Sequence, residues 1–220
     1  MSLKQKLDAM KRQAAENIPP KTLSEMLGAT NQLRESGILN GIIKPNSLLP
    51  AFKLRNQDGI EIASNELLAE KNLVITIFRG HWWPYCNAEL EALQEILGQI
   101  EKTNTVLLAL SPQKVSFNSQ MVTSHSLGFD ILSDPGNTYA AELGLRFQIP
   151  PNIKSIYEGF KINLAQTNGD ESWTLPIPSR IIVEKGGTIF DVEADPDYTS
   201  RPEPNATLES LLRLQAASAQ

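Results

Sequence analysis

The chain has 220 residues, a formal net charge of −5, and 41% hydrophobic against 20% charged residues. That balance builds a globular core; an acidic chain with no run of Lys or Arg is not a nucleic-acid binder, which needs a basic surface for phosphate. One cysteine, Cys86, excludes an internal disulfide and a thiolate-rich zinc site, and two distant histidines, His81 and His125, leave no ligand spacing for a metal or cofactor centre.

The N-terminus, MSLKQKLDAMKRQAAENI, lacks the apolar core of about 7–15 residues that marks a secretory signal. No run of about 18 apolar residues exists to span a bilayer, so a cytoplasmic chain without a membrane partner is expected. Leu3, Leu7, Met10 and Ala14 recur at helical spacing, and Pro19-Pro20 ends that helix. Thr22-Leu23-Ser24-Glu25 reads as a capping box opening a second helix, with Leu23, Met26, Leu27 and Leu33 as its apolar side. Residues 1–40 thus form an N-terminal helical extension on a domain of residues 41–220. The helical pair is expected to pack on that domain or on a second subunit of a homodimer.

From Gly41 the texture changes. LLPAFKLRNQDGIEIAS predicts two strands around an Asp58-Gly59 turn, and Ser64 is placed to cap a short helix through Leu68. Residues 73–78, LVITIF, are short, β-branched and nearly all apolar, as a strand covered on both faces should be. Pro84 to Lys102 predicts a helix with Pro84 at its first position and Leu90, Leu93, Leu97 and Ile100 as its stripe. TVLLAL, from Thr105 to Leu110, is a second buried strand, so the three elements make a right-handed parallel β-α-β unit. Further on, a helix is predicted over 117–126, a short strand over 130–132 and a helix over 137–143. Two strands, 179–184 and 188–192, flank a Lys185-Gly186-Gly187 turn, and Leu208 to Ala217 closes the chain as a helix. Residues 146–175 have no clear period. The fold class is α/β: a central mixed sheet with helices on both faces.

Cys86 lies in the stretch FRGHWWPYCNAEL, between a strand and a helix start. The first turn of a helix favours an anion, and a thiolate is an anion. Arg79 and His81 could add positive charge. Cys86 also shares a helical stripe with Leu90, Leu93 and Leu97, where cysteine serves as a small hydrophobe. Spacing alone leaves both readings open.

FRGHWWPYCNAEL resembles the motif R-G-x-W-C-P-Y-C-N-x-E-L of one branch of the peroxiredoxin-like, alkyl hydroperoxide reductase/thiol-specific antioxidant (redoxin) family, which has a thioredoxin-like fold. Leu49-Pro50-Ala51-Phe52-Lys53-Leu54 with Asp58-Gly59 is similar to that family's first strand and turn. Leu175-Pro176-Ile177-Pro178 and RIIVEKGGTIFDVEADPDYTSRPEP are similar to its late hairpin and tail. The resemblance runs from Leu49 to the C-terminus. It implies that Cys86, with Glu89 and Leu90, is a peroxidatic cysteine opening a C-x-x-E-L helix. It also implies that Pro178 is the cis-proline facing that thiol. Trp83 stands where this branch has the first cysteine and other members a threonine or serine, so C-x-x-C dithiol chemistry is absent. The family's late arginine aligns with Pro178; Arg180, on the same strand face, or Arg79 is expected to take its place. The implied function is a one-cysteine antioxidant peroxidase that takes hydrogen or alkyl peroxides and an external thiol reductant such as thioredoxin or glutathione. The alternative is a non-catalytic thioredoxin-fold protein of binding or structural role, with Trp83 plugging the site.

Overall fold

The computed structural model describes residues 1–218. Two helices open the chain, α1 (Leu3–Asn17) and α2 (Pro20–Glu35). The capping box lies at α1: Ser2 Oγ accepts from the Gln5 N–H, and the Gln5 side chain accepts from the Ser2 N–H. The box expected at Thr22 does not form, because α2 begins two residues earlier, at Pro20 in the first turn, where a missing N–H costs nothing. Leu3 and Leu7 of α1 and Met26 of α2 belong to the same buried cluster as the sheet and the helix carrying Cys86. The extension therefore packs on its own domain, each such side chain contributing about 1.5–3 kcal/mol by burial.

The hairpin of β1 (Lys53–Arg55) and β2 (Glu61–Ala63) forms around Asp58-Gly59 as expected. Helix α3 (Ser64–Glu70) follows, with Ala63 rather than Ser64 at the cap. The Ser64 hydroxyl instead accepts from the Phe52 N–H at 2.9 Å and ties the hairpin to the helix. Then come β3 (Asn72–Ile77), α4 (Pro84–Glu95), α5 (Leu97–Glu101) and β4 (Thr105–Ser111). The single helix expected over 84–102 is broken at Ile96, whose ψ of 4° leaves the helical region. Helix α6 (Val115–His125), β5 (Asp130–Ser133) and α7 (Thr138–Glu142) complete the parallel half. Residues 146–175 hold β6 (Arg146–Gln148), α8 (Pro151–Gly159), α9 (Leu164–Asn168) and the start of β7 (Thr174–Pro176). Short strands and helices alternate here, so no single period runs through the segment. The chain ends with β8 (Ser179–Val183), β9 (Ile189–Ala194) and α10 (Pro204–Ser218).

The main sheet runs β2-β1-β5-β4-β3-β8-β9, and β6-β7 is a separate two-stranded ribbon. Strands β3, β4 and β5 are mutually parallel, and β8 and β9 add antiparallel at one edge. One residue in two points to each face. Leu73, Ile75 and Ile77 face a core with Phe52, Leu68 and Leu143; Val74 and Phe78 face the other core, with α4, α1 and α10. No helix among the described residues is long and apolar enough to cross a membrane.

Candidate functional site

Alternation along β3 has a local consequence. Thr76 sits between Val74 and Phe78, on the face covered by α4. Its register partner on β8 is Arg180. Two polar side chains thus enter an apolar layer side by side, and such groups need partners. Glu89, one turn along α4 from the helix start, supplies them. Its carboxylate accepts from the Thr76 hydroxyl at 3.0 Å and pairs with Arg180 Nη2 at 2.6 Å. Its other oxygen pairs with Arg201 Nε at 2.5 Å. Both ion pairs are almost wholly buried, with side-chain exposures of 1–2%.

Arg201 links this network to the thiol. Its Nη2 donates to Cys86 Sγ at 3.3 Å, while Nη1 donates to the Tyr198 and Ser200 carbonyls. Burial lowers the Arg201 pKa, but the Cys86 sulfur and the Glu89 carboxylate more than offset this and leave it raised. A guanidinium can only donate, so Sγ is held as an acceptor. Cys86 itself is at the start of α4 with Pro84 at the first position, as expected, and is 0% exposed. Its N–H is not free, since it donates to the Trp83 carbonyl at 2.9 Å.

The other expected site residues take separate positions. Arg180 reaches Glu89 and the Thr207 hydroxyl (2.8 Å), not the thiol. Arg79 is buried among aromatic rings: its guanidinium lies 5.2 Å from the Phe147 and Tyr198 centroids and 3.5 Å from the Tyr157 hydroxyl. Burial lowers its pKa, against the opposing charges of Tyr157 and Cys86. Trp83 is buried in a ring cluster with Trp82, Tyr85, Tyr157 and Tyr198. Its centroid lies 5.0 Å from Tyr198 at 77° and 5.9 Å from Tyr157. His81 is turned to other partners, stacked on Phe117 at 4.7 Å and bonded to Gln113.

Pro178 corrects an expectation: no cis peptide bond occurs among the described residues. The chain passes extended from β7 to β8, with the Ile177 N–H held by the Leu145 carbonyl at 2.7 Å and the Pro178 carbonyl accepting from Asp195 at 3.4 Å. That path makes no turn, so the ordinary trans preference prevails. Pro178 and Arg201 instead line one surface cleft, together with Ser200 and Pro202.

Arg201 is the residue that sequence reasoning missed. It lies in DPDYTSRPEP, outside any helix or strand, so no period marks it. The only signal was an arginine in a segment similar to the family's tail. Glu89 was noted within C-x-x-E-L, but its role as the shared carboxylate needed the sheet register. Buried polar side-chain atoms without a partner also gather here: of eight among the described residues, five belong to Arg79, Trp82, Trp83, Asn87 and Arg180. Unpartnered polar atoms are rare in folded interiors and call for an explanation where they cluster.

Comparison with known proteins points the same way. The sequence model described as AhpC/TSA family matches residues 45–192. The candidate peroxiredoxin bcp of Helicobacter pylori is 28% identical over 92 residues, 42% of this chain and 60% of that protein. The chloroplastic peroxiredoxin Q of Oryza sativa subsp. japonica is 22% identical over 132 residues, 60% of this chain and 58% of that one. The chain thus spans about three-fifths of the length of these curated relatives. Among solved structures, peroxidoxin BcpB from Mycobacterium tuberculosis superposes with a TM-score of 0.61 at 15% identity, over 78% of this chain and 97% of that one. A mutant of peroxiredoxin 6 of Arenicola marina gives 0.66 at 15%, over 80% and 75%. The yeast mitochondrial 1-Cys peroxiredoxin gives 0.60 at 17%, over 81% and 79%. At these identities the structural matches establish the thioredoxin-like fold.

Proposed function

Given that the chain belongs to the AhpC/TSA family, we propose that it is a one-cysteine thiol peroxidase acting through Cys86. The observation that carries this reading is the buried Arg201 guanidinium donating to Cys86 Sγ at a helix start. Evolution of an inert filler needs no arginine bonded to its sulfur; a nucleophilic thiolate does, because donors around it hold the anion and then the developing negative charge.

The thiolate attacks one oxygen of the peroxide O–O bond. A sulfur–oxygen bond forms, the O–O bond breaks, and the departing alkoxide or hydroxide takes a proton to leave as alcohol or water. Cys86 is then a sulfenic acid. With one cysteine in the chain, a thiol from another molecule condenses with the sulfenic acid to release water, and a second thiol reduces the mixed disulfide. The solved yeast 1-Cys peroxiredoxin is described as resolved through glutathione/thioredoxin systems, and a reductant of that class fits this chain. Glu89 and Arg180 are positioning residues, holding Arg201 against the sulfur.

One observation favours the non-catalytic reading. Cys86 is fully buried, and Trp83 and Tyr198 pack beside it. Catalysis therefore requires local opening on the scale of a few side chains. The test is to treat reduced protein with graded hydrogen peroxide and cumene hydroperoxide and to follow intact mass with a sulfenic-acid trap, Cys86→Ser serving as control. Trapping at near-stoichiometric peroxide, lost in the control and slowed in Arg201→Met, supports the peroxidase. An unmodified, folded protein at large excess of both peroxides establishes the non-catalytic reading.

A further inference from the structure

Beside helix α2 lies a cavity of about 210 Å³ that the thiol chemistry leaves unexplained. One side is built by Met26, Ala29 and Leu33 of α2, and the other by Phe147, Ile149 and Ile153. These are all apolar. The exposed Gln32 and the half-buried Pro150 mark its outer wall. Thr30, Gln148, Tyr157 and Tyr198 add neutral polar groups to this mostly apolar lining, and its one charge is Arg79, which is 3% exposed.

Arg79 differs from its two neighbours. Arg180 and Arg201 share the Glu89 carboxylate. Arg79 has no ion pair among the described residues. Its Nε is buried without a partner, and its one hydrogen bond is the long contact to the Tyr157 hydroxyl. The rings of Phe147 and Tyr198 meet the guanidinium, and ring faces offset only part of the cost of burying a cation. An apolar cavity walled by an unpaired, buried guanidinium is complementary to an apolar anion. The anion is a monoanion, since a second charge would meet apolar side chains. A planar guanidinium fork matches a carboxylate. The cavity is smaller than the roughly 300 Å³ at which pockets for drug-sized ligands begin, so the ligand is small.

We propose that this cavity binds a medium-chain aliphatic monocarboxylate, its chain between α2 and residues 147–153 and its carboxylate on Arg79. The N-terminal helices would then be one wall of a ligand site as well as a cover for the core. The proposal stands apart from the peroxidase reading, because binding needs no reaction at Cys86.

The test is calorimetric titration of the reduced full chain with octanoate, and with 1-octanol as the uncharged counterpart. Octanoate binds saturably at one site per chain, and 1-octanol binds at least about tenfold more weakly, the loss expected when a two-oxygen, charge-assisted pair is reduced to one neutral hydroxyl acceptor. Arg79→Met lowers octanoate affinity by a similar factor. Ala29→Trp, which fills the cavity from the half-exposed side of α2, abolishes binding while the circular dichroism spectrum is retained. Absence of saturable octanoate binding, equal affinity for 1-octanol, or full affinity in Ala29→Trp overturns the proposal. Should Arg79→Met fail to fold, the alcohol comparison and Ala29→Trp decide it. Octanoate binding is read whatever the peroxide experiment finds, since it needs no reaction at Cys86.

Discussion

Glu89→Gln is the most informative single change in this protein. Among the described residues Glu89 is the only carboxylate shared by Arg180 and Arg201, and all three side chains are nearly sealed from water. The natural triad carries one net positive charge; the variant carries two, facing a neutral amide. Removing one partner of a buried ion pair costs about 3–5 kcal/mol. The amide oxygen still accepts from one arginine or from Thr76, which places the loss at the lower end, about 3 kcal/mol. In a chain of this size that corresponds to a fall in Tm of roughly 6–12 °C, and to a large share of a total stability of about 5–15 kcal/mol. Urea unfolding followed by tryptophan fluorescence and circular dichroism measures it, urea being uncharged. A second substitution, Arg180→Met, removes the surplus charge, so the double variant should recover at least about 1 kcal/mol relative to additivity. A loss below about 1 kcal/mol in Glu89→Gln, or strict additivity in the pair, would refute the view that this carboxylate holds the two guanidiniums.

Three further outcomes are expected. Leu7→Ala should cost about 2–5 kcal/mol, since Leu7 is buried in the core shared with α4; a loss under about 0.5 kcal/mol in urea unfolding would mean that α1 contributes little to the fold. Gly144→Ala should destabilise by more than about 1 kcal/mol, because φ is +74° and an added Cβ would overlap the Gly41 carbonyl; an unchanged urea midpoint would contradict this. Lys6→Gln should lose less than about 1 kcal/mol at neutral pH, since the Lys6–Glu91 pair is half exposed. The hydrogen bond from Lys6 holds the Glu91 carboxyl below its usual range, against the opposing effect of burial and with help from His125. A lowered carboxylate contributes stability above its unfolded pKa, about 4.3, and loses it as pH falls through the folded value. Thermal melts of Lys6→Gln and the natural chain should therefore differ at pH 7 and converge as pH falls through the folded Glu91 value; a gap that persists once the carboxyl is protonated would exclude the pair as its source.

Much of the frame was legible from residues alone. Residues 73–78 and 105–110 read as strands covered on both faces, because both are short and nearly all apolar and the first is rich in β-branched residues. Pro84 and the Leu90 and Leu93 spacing marked the start and stripe of the helix that carries Cys86, though the break at Ile96 before Leu97 and Ile100 was not legible, and Asp58-Gly59 and Lys185-Gly186-Gly187 marked the turns. Such signals are local, and each is written within about ten residues. The thiol's surroundings are not local. Arg201 reaches Cys86 across 115 positions, and Arg180 reaches Glu89 across 91. What brings Arg180 there is the β3–β8 register, which sets it opposite Thr76 on the α4 face. A one-residue slip in that register would point it into the other core. The trans Pro178 and the placing of Arg79 beside α2 likewise follow from the route of the chain between elements. Sequence alone determined which segments fold as strands and helices and where the single thiol sits on them, because period and turn chemistry act along the chain. Only the tertiary structure decided which arginine meets the sulfur and which is left without a carboxylate, because buried charges take their partners across the chain.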